Sequence, residues 1–219
     1  MTKIISMMEI MILIDKSSSN KVKRHGFTPP LNFQQIGAWC AAAILVLSYF
    51  LVIMPGNYFI HVSFVIIFWL IYGWIVAFLL YFCLRTTWSD PTDPNVKYEQ
   101  ECRKQGIEPV ENQELEFLWD VWEAFVLERT KHWGDWNRWV DLFDHHWKWL
   151  NNCIGGANYR LFIGLIVVLF IKNIVFMINA LIFMFVLIID EAKFQEGFEE
   201  YYGTQPSRWA LFIYVLFLI

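Results

Sequence analysis

The sequence predicts an α-helical integral membrane protein with about four transmembrane helices, the fourth truncated, and a small aromatic-dense cytosolic domain between spans two and three. Three observations predict it. Of 219 residues 57% are hydrophobic and mean hydropathy is positive, which is too apolar for an ordinary soluble domain. From Gly26 to Leu84 there is no Asp, Glu, Lys or Arg. Basic residues are also segregated. Lys16, Lys21, Lys23 and Arg24 precede the first apolar run, and further Lys and Arg from Arg85 to Arg160 separate the second run from the third. The stretch before the fourth run is acidic, with only Lys193 and Arg208. That asymmetry puts the N-terminus and Arg85–Arg160 in the cytosol.

Taken in order, residues 1–35 form a cytosolic N-terminus. Its opening, MTKIISMMEIMILIDK, is a short apolar run broken by Glu9 with no small-residue cleavage site after it, so an interfacial helix is expected rather than a signal peptide. Residues 36–83 form a transmembrane hairpin. Ile36–Met54 is long enough to cross about 30 Å of hydrocarbon at about 1.5 Å per residue. Pro55-Gly56-Asn57 signals a turn, and Phe59–Cys83 returns. His61, near the outer end, reads as interfacial. Residues 84–116 read as a polar cytosolic linker and 117–160 as the cytosolic domain. Leu161–Ile189 is the third span, with Lys172 expected to snorkel to the headgroups. Residues 190–208 read as an external loop, and 209–219 begin a fourth span of roughly 16 Å. The chain is therefore read as a fragment rather than as ending in a re-entrant segment. Net charge is −4, so no nucleic-acid partner is expected, and Cys40, Cys83, Cys102 and Cys153 are too scattered for a disulfide framework.

The cytosolic domain carries the chemistry. Tryptophan recurs as W-x2-W (Trp119, Trp122), W-x2-W-x2-W (Trp133, Trp136, Trp139) and then Trp147, beside His132, His145 and His146. Spacing of x2 is what a zinc knuckle uses to offer two thiolates from one turn. An indole is neither a nucleophile nor a metal ligand; its ring nitrogen only donates a hydrogen bond. With cysteine written for those six tryptophans, the segment becomes C-x2-C-x9-H-C-x2-C-x2-C-x4-D-H-H-C-x5-C. In this form it resembles the zinc-finger-like, cysteine-rich domain of the DHHC protein S-acyltransferases (palmitoyltransferases). Arg129-Thr130-Lys131-His132, Asp144-His145-His146, Trp149, Asn151-Asn152-Cys153-Ile154-Gly155 and Asn158-Tyr159-Arg160 agree as well. So do KRHGFTPPLNFQQIGAW before the first span and TTWSDPTDPNV after the second. The resemblance covers roughly residues 24–219. The departures are the six tryptophans, Thr92 where Gly usually follows Asp-Pro, and the lack of the Thr-Thr-x-Glu motif and C-terminal segment that follow the fourth span in the family.

The resemblance implies two structural zinc ions, one at positions Trp119, Trp122, His132 and Trp139, the other at Trp133, Trp136, His146 and Cys153. It implies palmitoyl-CoA as acyl donor and an acyl-accepting thiol at position 147, with His145 as base and Asp144 orienting it. Trp149 and Phe143 would help hold the acyl chain. Implied partners are membrane lipid, fatty acyl-CoA and membrane-associated proteins with an accessible cysteine. The implied location is the endomembrane system (ER or Golgi) or the plasma membrane.

Trp147 then admits three explanations. The tryptophans are genuine and the protein is a catalytically dead adaptor; the protein is unrelated; or cysteines have been misread from the gene. Lack of relation fails on the register. A dead relative needs one change, whereas five further ligand positions have changed to the same residue, each bringing about 150–250 Å² of indole into a site shaped for sulfur and metal. Misreading accounts for the uniformity. If UGA encodes cysteine in this organism but is translated as tryptophan, UGA cysteines become tryptophan and those written UGU or UGC survive, as Cys153 does. Trp88 would be another case; Trp149 is original, since the family has tryptophan there. As written, the chain is expected neither to bind zinc nor to transfer acyl groups. A transporter is disfavoured because the spans have few polar groups and no broken-helix pair.

Overall fold

The structure is a computed structural model and describes residues 23–53, 61–109, 117–119, 124–126, 129–205 and 207–218. The expected Pro55-Gly56-Asn57 turn, the opening apolar run and Trp122 lie outside the described residues, as does the side chain of Trp119. The chain divides into two units, Met1–Gln35 with Arg85–Phe162, and Ile36–Leu84 with Ile163–Ile219. They are called the hairpin unit and the span unit below.

Three helices are long and apolar enough to cross a membrane. They are α1 (Phe33–Ser48, continued by a π-helical turn to Ile53), α2 (Val62–Trp88) and α4 (Tyr159–Ile189). Large apolar side chains on them, such as Trp74, Phe170 and Ile189, are exposed, the pattern of a surface meant for lipid. The core of the span unit joins Tyr49, Ile53, Tyr72, Phe176, Phe183 and Leu187. Tyr49 and Tyr72 stack at 3.6 Å between ring centroids, and Asn179 donates to the Tyr49 hydroxyl at 3.0 Å. Gly164 lets α4 approach α2 closely, for a Cβ there would lie 2.6 Å from the Phe82 ring.

The structure adds three local features to this reading. Lys172, expected to snorkel, is buried with its ammonium 6.0 Å from the Phe176 ring centroid. The polar linker contains α3 (Pro94–Gln105). Asp93 caps its N-terminus by accepting from Asn95 N–H at 2.8 Å, proline opens it, and Gly106 closes it in the left-handed conformation. The expected external loop is largely α5 (Glu191–Tyr202), which buries Phe194 in the span-unit core and is tied to α6 (Arg208–Leu218) by an Arg208–Glu191 contact of 2.9 Å.

The hairpin unit contains three antiparallel two-stranded hairpins: β1 (Phe117–Trp119) with β2 (Ala124–Val126), β3 (Lys131–Trp133) with β4 (Arg138–Val140), and β5 (His145–Trp147) with β6 (Asn152–Ile154). Strands of three residues bury little apolar surface, and polar contacts join them instead. Arg138 is fully buried. It donates to the carbonyls of Lys23 (3.1 Å) and Arg24 (2.8 Å) and to Asn152 Oδ1 (3.0 Å), and it lies over the Trp136 ring. Asn152 donates onward to the carbonyls of Thr86 and Ser89, each at 2.9 Å, and Asn158 to Ser89 Oγ at 2.8 Å. The end of α2, the N-terminal segment and two hairpins thus share one buried hydrogen-bond network. Gly155 is required by crowding, since a Cβ there would meet the Asp141 carbonyl oxygen at 2.5 Å.

Candidate functional site

The site is built on β5 and β6. Side chains alternate across a strand, so His145 and Trp147 share one face and His146 takes the other. Antiparallel pairing sets His146 opposite Cys153 and Trp147 opposite Asn152. One three-residue strand therefore divides the expected nucleophile position from an expected ligand position.

On the first face, His145 Nδ1 lies 3.2 Å from Asp144 Oδ2. The His145 ring is 5.4 Å from the Trp147 ring and 5.2 Å from Phe162. Trp147 also lies 5.0 Å from Phe162 and 5.5 Å from Trp149. The structure therefore brings Asp144, His145, Trp147 and Trp149 together. Phe143 has other ring neighbours. It stacks on Trp133 at 5.7 Å, under Lys131, among the second ligand set. Phe162, buried at the start of α4, is the aromatic ring beside position 147. It went unnoticed in the sequence because it is one more apolar letter in a continuous apolar run.

On the second face the rings crowd around His146. Trp133 stacks on it at 5.1 Å, Trp136 meets it edge-on at 5.4 Å, and Cys153 Sγ lies 3.4 Å from Nδ1. All four positions of the second expected zinc set converge. Burial first, then the Arg138 charge, push the His146 imidazole down to about 4. Burial pushes the Cys153 thiol up. Both are therefore neutral as they stand. In the first set, β3–β4 pairing places His132 opposite Trp139 with rings 4.8 Å apart, while Trp119 has its backbone in β1.

The residues as written do not fit zinc. Among the described residues no group of three or more His, Cys, Asp and Glu is placed to hold a metal. His146 and Cys153 give the second set two donors where a closed tetrahedral site needs four. Indole contributes no lone pair. The buried Trp133 Nε1–H also has no hydrogen-bond acceptor among the described residues, a polar orphan where a sulfur ligand is expected, at a cost of about 1–3 kcal/mol.

Long apolar helices and a unit of small hairpins, with a histidine–acid pair on one strand face and a histidine–cysteine pair on the other, describe a mostly helical protein suited to a membrane. Residues 121–219 match the family model described as DHHC palmitoyltransferase. Palmitoyltransferase ZDHHC17 of Homo sapiens is 28% identical over 143 residues, 64% of this chain and 22% of that protein. Palmitoyltransferase ZDHHC8 of Drosophila melanogaster is 33% identical over 98 residues, 41% of this chain and 10% of that protein. Putative ZDHHC-type palmitoyltransferase 1 of Dictyostelium discoideum is 30% identical over 102 residues, 42% and 23% respectively. Residues 121–219 are thus similar to the DHHC palmitoyltransferase family. The chain spans less than a quarter of the length of each of these relatives.

Proposed function

We propose that the native polypeptide carries cysteine at positions 119, 122, 133, 136, 139 and 147 and is a protein S-acyltransferase. It moves a palmitoyl group from palmitoyl-CoA to cysteines of membrane-associated proteins, with residues 117–160 as its cytosolic cysteine-rich domain. The observation that carries this is the separation of functions across β5. Positions 133 and 136, His146 and Cys153 cluster on one face, while Asp144, His145 and position 147 meet on the other. A sequence unrelated to the family would have no reason to bring Trp133, Trp136, His146 and Cys153 together on one face and Trp147 beside His145 on the other. The orphaned Trp133 N–H also speaks against indole as the residue that evolved there.

In the proposed reaction His145 takes the proton of the thiol at 147, and Asp144 holds the imidazole in the tautomer able to accept it. The thiolate attacks the thioester carbonyl carbon. A new carbon–sulfur bond forms, the bond to the CoA sulfur breaks, and CoA leaves as a thiol with the proton from His145. A substrate cysteine, deprotonated by the same imidazole, then attacks the acyl-enzyme and the thiol at 147 is regenerated. Trp149 and Phe162, against position 147, are the side chains available to line the acyl path. Zinc at the two ligand sets would supply folding energy to the hairpins and no step at the thioester.

Peptide mass spectrometry of the native protein across Trp139–Lys148 tests the proposal. Cysteine masses at 139 and 147 are expected. Tryptophan masses there overturn it and leave a metal-free, non-catalytic adaptor.

A further inference from the structure

Apart from the β5 site, the hairpin unit has a cavity of about 440 Å³ beside α3, lined in part by Arg24, Asp90, Lys97, Tyr98, Glu101 and Lys104. Three cations face two carboxylates, an excess of one positive charge. The pairing is uneven. Lys97 is 3.6 Å from Asp90 Oδ2 and donates to the Asp90 carbonyl at 2.8 Å, and Lys104 is 3.2 Å from Glu101. The Arg24 guanidinium makes no ion pair among the described residues; its backbone carbonyl, not its side chain, is what Arg138 holds. The local field is positive. Hydrogen bonds from Gln105 and Lys104 first, and then the Lys104 and Arg24 charges, hold the Glu101 carboxyl below its usual range. The volume is too large for a bare ion and suits a phosphate carried on a small polar group.

We infer that this cavity binds a phosphate-bearing headgroup, with Arg24 supplying the forked contact and Lys104 and Lys97 the flanking ammonium charges. A guanidinium with no ion pair among the described residues, beside two ammonium groups, can offer a forked contact to a tetrahedral oxyanion. Position in the chain favours a membrane source. Asp90 is two residues beyond the end of α2, and clustered Lys and Arg immediately outside a spanning helix attract acidic lipid headgroups. The basic residues that set orientation in the sequence thus acquire a ligand. The inference is separate from acyl transfer and stands whichever residue occupies position 147.

The test titrates the 219-residue chain in detergent micelles with dioctanoyl phosphatidic acid, dioctanoyl phosphatidylcholine and inorganic phosphate, following binding by thermal shift. Phosphatidic acid is expected to raise the melting temperature saturably, with phosphatidylcholine at least tenfold weaker. The Arg24→Gln, Lys104→Gln double variant should lose at least tenfold in affinity, Arg24→Lys should recover part of it, and binding should weaken with salt. Both positions are exposed, so the variants are expected to keep the unliganded melting temperature of the parent. If inorganic phosphate binds as tightly as the lipid, the phosphate seat stands and its ligand is soluble. Unchanged affinity in the double variant, or no binding of any probe, overturns the inference.

Discussion

The two units hold themselves together in different ways. The span unit has a continuous apolar core around Tyr49, Tyr72, Phe176 and Phe183, and its outward side chains are ones that lipid accepts. The hairpin unit has strands of three residues and a small apolar cluster of Val96, Val126 and Trp139. Its order rests on one buried polar network centred on Arg138 and Asn152. Small domains of this kind need a staple. Cysteine and tryptophan are therefore not equivalent at the six positions, because they fall in the unit least able to do without metal. A change of this sort among the helices would cost packing; among the hairpins, on the proposed function, it would remove a metal staple.

The sharpest way to break the comparison is to restore the sulfur. Replacing Trp119, Trp122, Trp133, Trp136, Trp139 and Trp147 together with cysteine should yield a protein that binds about two zinc ions. Metal should contribute on the order of 10–16 kcal/mol to folding of the hairpins. Zinc analysis and protease resistance of the hairpin unit with and without chelator measure it. The span unit should resist protease equally in both. The sixfold variant should take up palmitate from palmitoyl-CoA, while the chain as written, and a fivefold variant keeping Trp147, should take up none.

Within the restored protein the two faces of β5 can be separated. His145→Ala should slow acyl uptake by about 10²–10⁴-fold, the range of a lost general base. Zinc content should stay unchanged, because His145 faces away from Cys153. His146→Ala should do the reverse first, releasing metal and loosening the hairpins. If His145→Ala released zinc as readily, the division of roles across the strand would be wrong.

Much of this was legible from the letters. Long apolar runs, the third interrupted by Lys172, marked the three helices long enough to span a membrane, and the x2 spacing with Asp144-His145-His146 marked the register. What escaped has physical reasons. Asp93-Pro94 and Gly106 are helix start and stop signals, yet α3 between them is mostly polar and buries Glu99 along with Val96 and Cys102, so no clear apolar period announced it. In α5, Phe194 and Phe198 recur four apart, but the surrounding acids read as solvent. Arg138 looked like one more cytosolic charge. Its burial depends on carbonyls of Lys23 and Arg24, more than a hundred residues away in sequence, and no local pattern encodes that.

Arg138 gives the next effect in size. Arg138→Met should destabilise the hairpin unit by about 3–5 kcal/mol, since it strips a buried charge from its partners and leaves two carbonyls and Asn152 Oδ1 without a donor. Denaturant unfolding followed by proteolysis of each unit should show the loss in the hairpins alone.

The smallest effect belongs to the span unit and tests the comparison from the other side. The Tyr49 hydroxyl accepts from Asn179 at 3.0 Å inside the helical core. A buried hydrogen bond in a soluble protein is worth about 1 kcal/mol, and in a bilayer a larger value is often assumed. Measured values between membrane helices nevertheless average about 0.6 kcal/mol, because helices separated in lipid find other partners. Tyr49→Phe should therefore cost only about that much in unfolding from mixed micelles, since its ring stays stacked on Tyr72. A loss several times larger would mean that the span unit, like the hairpins, depends on a few polar ties, and the contrast between the two units would fail.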